Sequence, residues 1–307
     1  MDLRQLKTFI CVAESGALSR ASDRLRIAQP ALSRQIKLLE KTVGTELFVR
    51  HVRGMDLTDA GQILLARISG PLRQLEQSVF EVRSLDKAIH GEVKLGVLPT
   101  IINEFSIQLL QYVREKHPNI KLYVKEAYSV NLVEWLQTGE LDAGFLYGPA
   151  SSYHLQSNQL FHEEIGLMSP PGSLPPSNEI DVKDIADLPL ALPNRPFGPR
   201  LIIDKIAASA GVSLEPEFQV DSFGIAVSMV ASGMCHGFMP VSSLSNLVRM
   251  EKIEVRRIMP QRAERQLILA RSHTSLKSRV TEVVVKSIFS VAKKMREEGS
   301  WQTHLQS

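Results

Sequence analysis

Only two cysteines, Cys11 and Cys235, occur among the 307 residues, far apart in sequence. No disulfide framework is outlined, and a reduced, cytosolic setting is the expectation. No Gly-x-Gly triplet occurs anywhere, which excludes a dinucleotide fingerprint. No basic segment followed by an apolar run and a cleavage site precedes the first helical pattern. Long apolar runs are also missing. Residues 222–248 carry no Lys, Arg, Asp or Glu, but Gly224, Gly233, Gly237, Pro240 and Asn246 interrupt them. A membrane span needs about 20 predominantly apolar residues, so this stretch reads as buried helix, tight turn and buried strand. Net charge is small, +3, with 44% hydrophobic and 22% charged residues, an ordinary globular balance at a length suited to two or three domains. The charge is unevenly placed: residues 1–58 hold ten Lys/Arg against six Asp/Glu, the remainder 26 against 27.

The basic front end is periodic. Leu3, Leu6, Phe9, Ile10 and Ala13 share one helical face, closed by Ser15-Gly16. A second helix spans about 18–25 with Leu18, Ala21 and Leu25 inward. A third runs from about Gln29 to Val43 with Leu32, Ile36, Leu39 and Val43 inward. Two helices joined by the short spacer Arg26-Ile27-Ala28, with Ala21 at the close approach, are what a helix-turn-helix requires. Pro30 suits a first helical turn. Gln29, Ser33, Arg34 and Lys37 lie opposite the apolar face and combine groups that read base edges with cations that hold phosphates. A surface helix alone often looks this way. Here, however, Glu46 to Thr58 follows as two strand-like runs around Gly54, a wing whose Arg50, His51 and Arg53 supply positive charge to backbone or minor groove. From Asp59 to about Ile89, Ile68, Leu72, Leu75, Val79 and Val82 recur at spacings of four and three, a coiled-coil-like seam interrupted at Pro71.

Four segments resemble the LysR-type transcriptional regulators: Leu3-Arg4-Gln5-Leu6; Ala28 to Ile36 with Leu39-Glu40; Glu46 to Arg50; and Leu57-Thr58-Asp59-Ala60-Gly61. The chain departs from the family's usual pattern at Ser22, where many members carry alanine, and at Ala28, where many carry Ser or Thr. The resemblance implies a winged helix-turn-helix head over residues 1–58, with the helix-turn-helix at about 18–37. A linker helix over 59–90 pairs subunits through Ile68, Leu72, Leu75, Val79 and Val82. A regulatory domain over 91–307 follows. Gln29, Pro30, Ser33 and Arg34 are expected in the major groove, with Lys37, Arg50 and Arg53 on phosphates or the minor groove of double-stranded promoter DNA. The expected assembly is a homodimer, extended to a dimer of dimers, with RNA polymerase as a further partner.

After His90-Gly91, strands and helices alternate, which implies parallel sheet covered on both faces. Strands are expected at 92–98, 121–127, 141–147, 188–192, 218–220, 237–239 and 266–270, with helices between them and a last helix over 276–296. Two α/β lobes, about 91–165 with 267–300 and about 166–266, enclose a crevice where ligands meet the carboxyl ends of strands. Those ends place Pro99, Thr100, Ser129, Tyr147, Arg195, Phe197 and Asp221 at the crevice. Thr100 begins a helix, where free N–H groups favour an anion, and a carboxylate-bearing small molecule is the expected ligand. Gly96 to Thr100, Gly139 to Asp142 and Gly233 to Pro240 resemble the matching LysR effector segments, whose fold is similar to type II periplasmic binding proteins. The resemblance assigns Thr100, Ser129, Phe197 and Phe238 to the pocket lining and offers Arg195 and Arg200 as counter-charges. Cys235 stands where the family often has a second glycine.

Catalytic signals are weak. His162-Glu163-Glu164-Ile165-Gly166 lacks the second histidine of a zinc helix. Ser84-Leu85-Asp86-Lys87 matches Ser-x-x-Lys without its companion motifs. Cys235 has no second cysteine in its own domain and reads as a buried inert thiol, with His236 structural. No catalytic residue, metal or cofactor is assigned beyond a small-molecule effector. Two alternatives remain: a solute-binding protein without a DNA role, and an enzyme on the same two-lobed fold.

Overall fold

A computed structural model describes residues 1–51, 54–83, 89–101, 105–148, 153, 155–195, 198–271, 278–299 and 301. Helix α1 (Leu3–Ser15) starts where Asp2 accepts from the Gln5 amide at 2.8 Å while the Gln5 side chain accepts from the Asp2 amide at 3.0 Å. Two otherwise unpaired donors are thereby satisfied. It stops at Gly16 in the left-handed region, φ 65°. Helices α2 (Leu18–Leu25) and α3 (Gln29–Val43) follow, and Phe9, Val12, Ala21, Leu32, Ile36 and Leu39 interlock with no exposure. Leu3 and Val43, expected inward, lie in the first turn of α1 and the last turn of α3 and are half exposed.

Strands β1 (Phe48–His51) and β2 (Gly54–Leu57) form the expected antiparallel wing, with Arg50 opposite Met55. The wing leans on the head. The Met55 amide donates to the Gly16 carbonyl at 2.9 Å, and a Cβ on Gly54 would stand 2.3 Å from that same oxygen. Helix α4 (Asp59–Arg83) then runs for 25 residues with Pro71 inside it. The expected continuation to Ile89 crosses residues 84–88, outside the described set, as do Ser84, Asp86 and Lys87 of the Ser-x-x-Lys match.

The rest of the chain builds one long sheet bearing two lobes. Lobe I takes β3 (Gly91–Val97), α5 (Ile107–Lys116), β4 (Ile120–Glu126), α6 (Ser129–Gln137) and β5 (Ala143–Tyr147). Strand β6 (Gln156–Ser169) crosses into lobe II, which holds β7 (Glu179–Asp181), α7 (Val182–Ile185), β8 (Leu190–Leu192) and α8 (Gly198–Ser209). It continues through β9 (Phe218–Gln219), α9 (Phe223–Ala231), β10 (His236–Pro240), α10 (Ser245–Arg249) and β11 (Glu254–Met259). Strand β12 (Ala263–Arg271) returns to lobe I, and α11 (Arg279–Glu297) packs there. The sheet order is β4-β3-β5-β12-β6-β10-β8-β9.

The expectation of a parallel sheet is corrected. Pairing is parallel within each lobe, β3 with β4 and β5, and β8 with β9 and β10. The crossing strands β6 and β12 are antiparallel to each other and to their flanking neighbours. They carry the chain out and back between lobes, so their directions must oppose. Each lobe keeps its own core, one around Phe105, Phe145 and Leu269, the other around Leu190, Ile203 and Phe238. The apolar run through residues 222–248 becomes α9, a turn and β10, and among the described residues no helix is long and apolar enough to cross a membrane.

Candidate DNA-reading face and interlobe crevice

Helix α3 stands proud of the head. Gln29, Pro30, Arg34 and Lys37 are exposed on one side, Ser33 is half-buried, and Leu32, Ile36 and Leu39 anchor the other side in the core. The wing is tied to this helix, since Arg50 Nη2 donates to Ser33 Oγ at 3.2 Å. Arg53 lies outside the described residues. The turn before α3 is locked by a group the sequence reading did not use: Ser22 Oγ donates to the Ile27 carbonyl at 2.7 Å, while Arg26 takes the left-handed conformation. Where many relatives of the resembled family carry alanine, Ser22 supplies a clamp. Ala28 makes no side-chain cap, as its lack of an oxygen requires. Ala28→Ser is therefore expected to stabilise the head by about 1 kcal/mol, read as a raised urea midpoint. A midpoint at or below that of the native chain would refute the missing cap.

Ile68 is half-buried against the head core, and Leu72 is buried within the chain. Leu75 and Val79 are exposed, as is Ile63, and the Val82 side chain lies outside the described residues. The seam thus divides into a face used in the chain and a face left open. Helix α4 also docks on lobe I. Gly70 packs so closely on the turn after α6 that a Cβ there would meet the Thr138 carbonyl at 2.4 Å. One turn on, Arg73 Nη1 reaches Asp142 Oδ2 at 2.7 Å, and its Nη2 donates to the Gly139 carbonyl at 2.8 Å. Asp142 is 4% exposed and accepts from the Lys94 amide as well, at 2.8 Å.

Several expected crevice residues do meet. Thr100 Oγ1 is hydrogen-bonded to the Tyr147 hydroxyl, and Ser129 Oγ accepts from the Tyr147 amide at 3.2 Å. Burial pushes the Tyr147 phenol well above its ordinary range, so it stays protonated. Pro99 is buried beside Thr100. Across the seam, the Tyr128 hydroxyl donates to the Asp221 carbonyl and accepts from the Phe223 amide at 3.3 Å, joining lobe I to the start of α9. The Asp221 carboxylate is occupied by Asn194, which donates its amide at 2.8 Å and its side-chain nitrogen at 3.0 Å.

Others take different places. Both offered counter-charges, Arg195 and Arg200, close on Asp204 at 2.7 Å, and Arg200 donates also to the Leu214 carbonyl. Their guanidinium groups are committed within lobe II. Phe238 is 5% exposed and packed in the lobe II core, because it sits on the covered face of β10. Phe197 lies outside the described residues. Burial alone would raise the Asp204 carboxyl, but the hydrogen bonds and charges of Arg195 and Arg200 together hold it below the usual range. A lowered carboxyl pKa contributes stability that is complete above the ordinary carboxylate range and disappears as pH falls through the lowered value. The stability gap between the native chain and Asp204→Asn is thus expected to be largest near neutrality and to shrink on acidification, measured by urea unfolding across pH 2–7 as a rough window. A gap that stays constant with pH would remove the carboxylate's role.

The sequence reading missed a buried polar group on the crossing strands. Glu163 and Arg265 face each other in the β6–β12 register, with Glu163 fully buried. Ser242 Oγ donates to Glu163 Oε1 at 2.7 Å, and the Arg265 guanidinium lies 3.3 Å over the Tyr147 ring. Glu164, on the opposite face of β6, meets Arg257 at 2.9 Å. The His-Glu-Glu run is therefore strand, with its carboxylates paired to arginines, and among the described residues no metal-binding cluster exists. The signal was present as two arginines spaced behind two adjacent glutamates, but only strand pairing shows that they meet. Cys235 is buried, and burial raises its thiol. Burial, with Arg256 nearby, lowers His236, whose Nδ1 meets Ser169 Oγ at 2.9 Å.

Residues 3–62 match the family described as bacterial regulatory helix-turn-helix protein, lysR family, and residues 86–292 match the LysR substrate binding domain. The nitrogen assimilation regulatory protein nac of Escherichia coli is 30% identical over 98% of this chain and 99% of its own. The HTH-type transcriptional regulator BbuR of Bordetella bronchiseptica is 26% identical over 99% and 94%. A solved full-length OxyR variant from Pseudomonas aeruginosa covers 100% of this chain and 99% of its own, with TM-score 0.74 and 24% identity. Full-length CbnR in complex with its target DNA covers 95% and 100%, with TM-score 0.68 and 22% identity.

Proposed function

This chain belongs to the LysR family of DNA-binding transcriptional regulators, and from that premise we propose how its own residues divide the work. Gln29, Pro30, Ser33 and Arg34 address base edges in the major groove, while Lys37, Arg50 and Arg53 hold phosphates or the minor groove. The observation that carries this reading is the outer face of α3. Arg34 and Lys37 stand exposed there, form no ion pair among the described residues, and lie beside a wing arginine hydrogen-bonded to the same helix. A solvated surface helix does not need that wing.

Two heads are expected to act together, with Leu75 and Val79 on the open face of α4 pairing one chain with a second, and two such dimers forming a tetramer. The solved CbnR bound to its target DNA supports the DNA role by likeness of fold. We place the ligand in the crevice near Thr100, Ser129 and Tyr147, where a small anionic molecule biases the arrangement of the heads and thereby promoter binding or contact with RNA polymerase. Such control requires only that the ligand bind one arrangement more tightly than the other. A chain that acts on DNA works in the cytoplasm, and we read it as a regulator rather than a catalyst. Selection from a randomised duplex library tests the reading. A two-fold-related consensus is the expected product, and a library recovered without enrichment would reject the DNA role.

A further inference from the structure

Helix α6 and strand β5 form one unit whose two ends touch different parts of the chain. At one end Tyr128 caps α6 and bridges to lobe II, its hydroxyl donating to the Asp221 carbonyl and accepting from the Phe223 amide at 3.3 Å. Ser129, the next residue, accepts the Tyr147 amide at 3.2 Å and so ties α6 to β5 there. At the other end α6 runs into Thr138 and Gly139, and Asp142 stands immediately before β5. Nine helical residues at roughly 1.5 Å each hold these ends about 14 Å apart. The unit is braced along its length. Leu132 and Leu136 of α6 are fully buried in the lobe I core with Ala143 and Phe145 of β5. Within the turn, the Gly139 amide donates to the Leu136 carbonyl at 3.2 Å and the Leu141 amide to the Trp135 carbonyl at 3.0 Å.

The far end is the seat of α4. A Cβ on Gly70 would lie 2.6 Å from the Gly139 Cα, so the two backbones meet with no side chain between them to yield, and Arg73 grips both the Gly139 carbonyl and the Asp142 carboxylate. From this seat α4 is continuous with the head, where Leu64, Leu65 and Ile68 pack on the core. Close-packed interiors transmit displacement rather than absorb it. We propose that α6 and β5 are the relay by which the lobes set the placement of the linker helix, with the Tyr128 bridge as its two-state element. Made, the bridge holds α6 to lobe II and keeps Gly139 and Asp142 seated under α4. Broken, it lets α6 tilt about its buried leucines, and the seat shifts against Gly70 and Arg73. The heads then move with α4. This relay rests on the regulator reading above and adds the route by which the lobes and the heads communicate. Coupling of this kind is reciprocal, so a disturbed α4 seat must also loosen the Tyr128 bridge.

Hydrogen exchange of the full chain, read by mass spectrometry, tests the relay without any ligand. Tyr128→Phe is expected to speed exchange about three- to tenfold over residues 221–225, where the bridge is lost, and by a similar factor over 138–142 at the far end. Arg73→Ala is expected to act from the other side, directly on 138–142 and through the unit on 221–225. Residues 203–207, in the lobe II core, are expected to exchange as in the native chain, which separates the relay from general loosening. Binding to the duplex selected by the native chain gives the second readout. Tyr128→Phe is expected to change that affinity about three- to tenfold in the native background, and by less than about 1.5-fold when Arg73→Ala is already present. Arg73→Gln, which fills more of the same space, takes its place if Arg73→Ala fails to fold. The proposal falls if each variant alters exchange at its own end alone, or if a chain that selects DNA binds it equally with and without the Tyr128 hydroxyl. It falls also if the Tyr128→Phe effect on affinity is the same in both backgrounds. Local effects in a chain that selects DNA leave the regulator reading and remove the relay. Exchange that crosses the unit in a chain that selects no duplex does the opposite.

Discussion

Arg73→Ala is expected to lower the stability of the full chain by about 3 kcal/mol, because it strips a buried carboxylate of its ionic partner. Asp142 is 4% exposed and Arg73 20%, so the pair is only weakly screened by solvent. The lost fork also leaves the Gly139 carbonyl without its donor. The Lys94 amide still reaches Asp142, which holds the loss at the lower end of the range for broken buried pairs. At about 2–4 °C per kcal/mol for domains of this size, the melting temperature should fall by roughly 6–12 °C. Arg73→Lys should recover part of the loss but not all, since an ammonium cannot span a carboxylate and a carbonyl with one planar fork. High salt should change the difference little, unlike that of an exposed pair. The double variant Arg73→Ala, Asp142→Ala should be less unstable than the two losses added, because the second change removes the charge that the first left unpaired. Additive losses, or a loss within about 0.5 kcal/mol, would mean that α4 does not depend on this contact.

That contact also shows what was and was not legible beforehand. Gly70 and Gly139 were both visible, the first next to a helix-interrupting proline and the second in a segment resembling a known family. Nothing local to either says that they touch, because close approach of two backbones is a property of tertiary packing. The head was legible almost residue by residue. Its three helices and wing follow one another with short connections, so periodicity, the Gly16 stop and the Gly54 turn sufficed. Strand β6 was not, since His162, Glu163 and Glu164 break the apolar pattern that marks a strand. From Glu163 to Ser169 every residue is buried, and the two carboxylates are neutralised by Arg265 and Arg257 from strands a hundred residues away or nearly so. Arginine partners were equally hidden at the crevice. Arg195 and Arg200 look free in sequence, yet an aspartate one helical turn beyond Arg200 takes both.

Arg34→Ala is expected to cost about 1–3 kcal/mol of binding to the selected duplex, a loss of about 5- to 150-fold, and to relax preference at one base-pair position in each half-site. The side chain sits on the exposed face of α3, one turn beyond Pro30, while Leu32 and Ile36 hold the helix itself in the core. Its removal therefore leaves the fold intact, and urea midpoints of variant and native chain should agree within about 0.5 kcal/mol. Lys37→Ala is the contrast. A phosphate contact carries no base information, so its loss should weaken every duplex alike and reduce the slope of log affinity against log salt by about one unit. Arg50→Ala should resemble Lys37→Ala in its salt slope, but it also releases the Ser33 hydroxyl from the wing, so a small change in preference beside the Arg34 position is expected. Two results would reassign the face. Unchanged specificity in the Arg34 variant, with a shallower salt slope, would move Arg34 to the phosphates. Full affinity in both Arg34 and Lys37 variants would take α3 out of the groove altogether, because no other described helix of the head presents an unpaired arginine and lysine beside the wing.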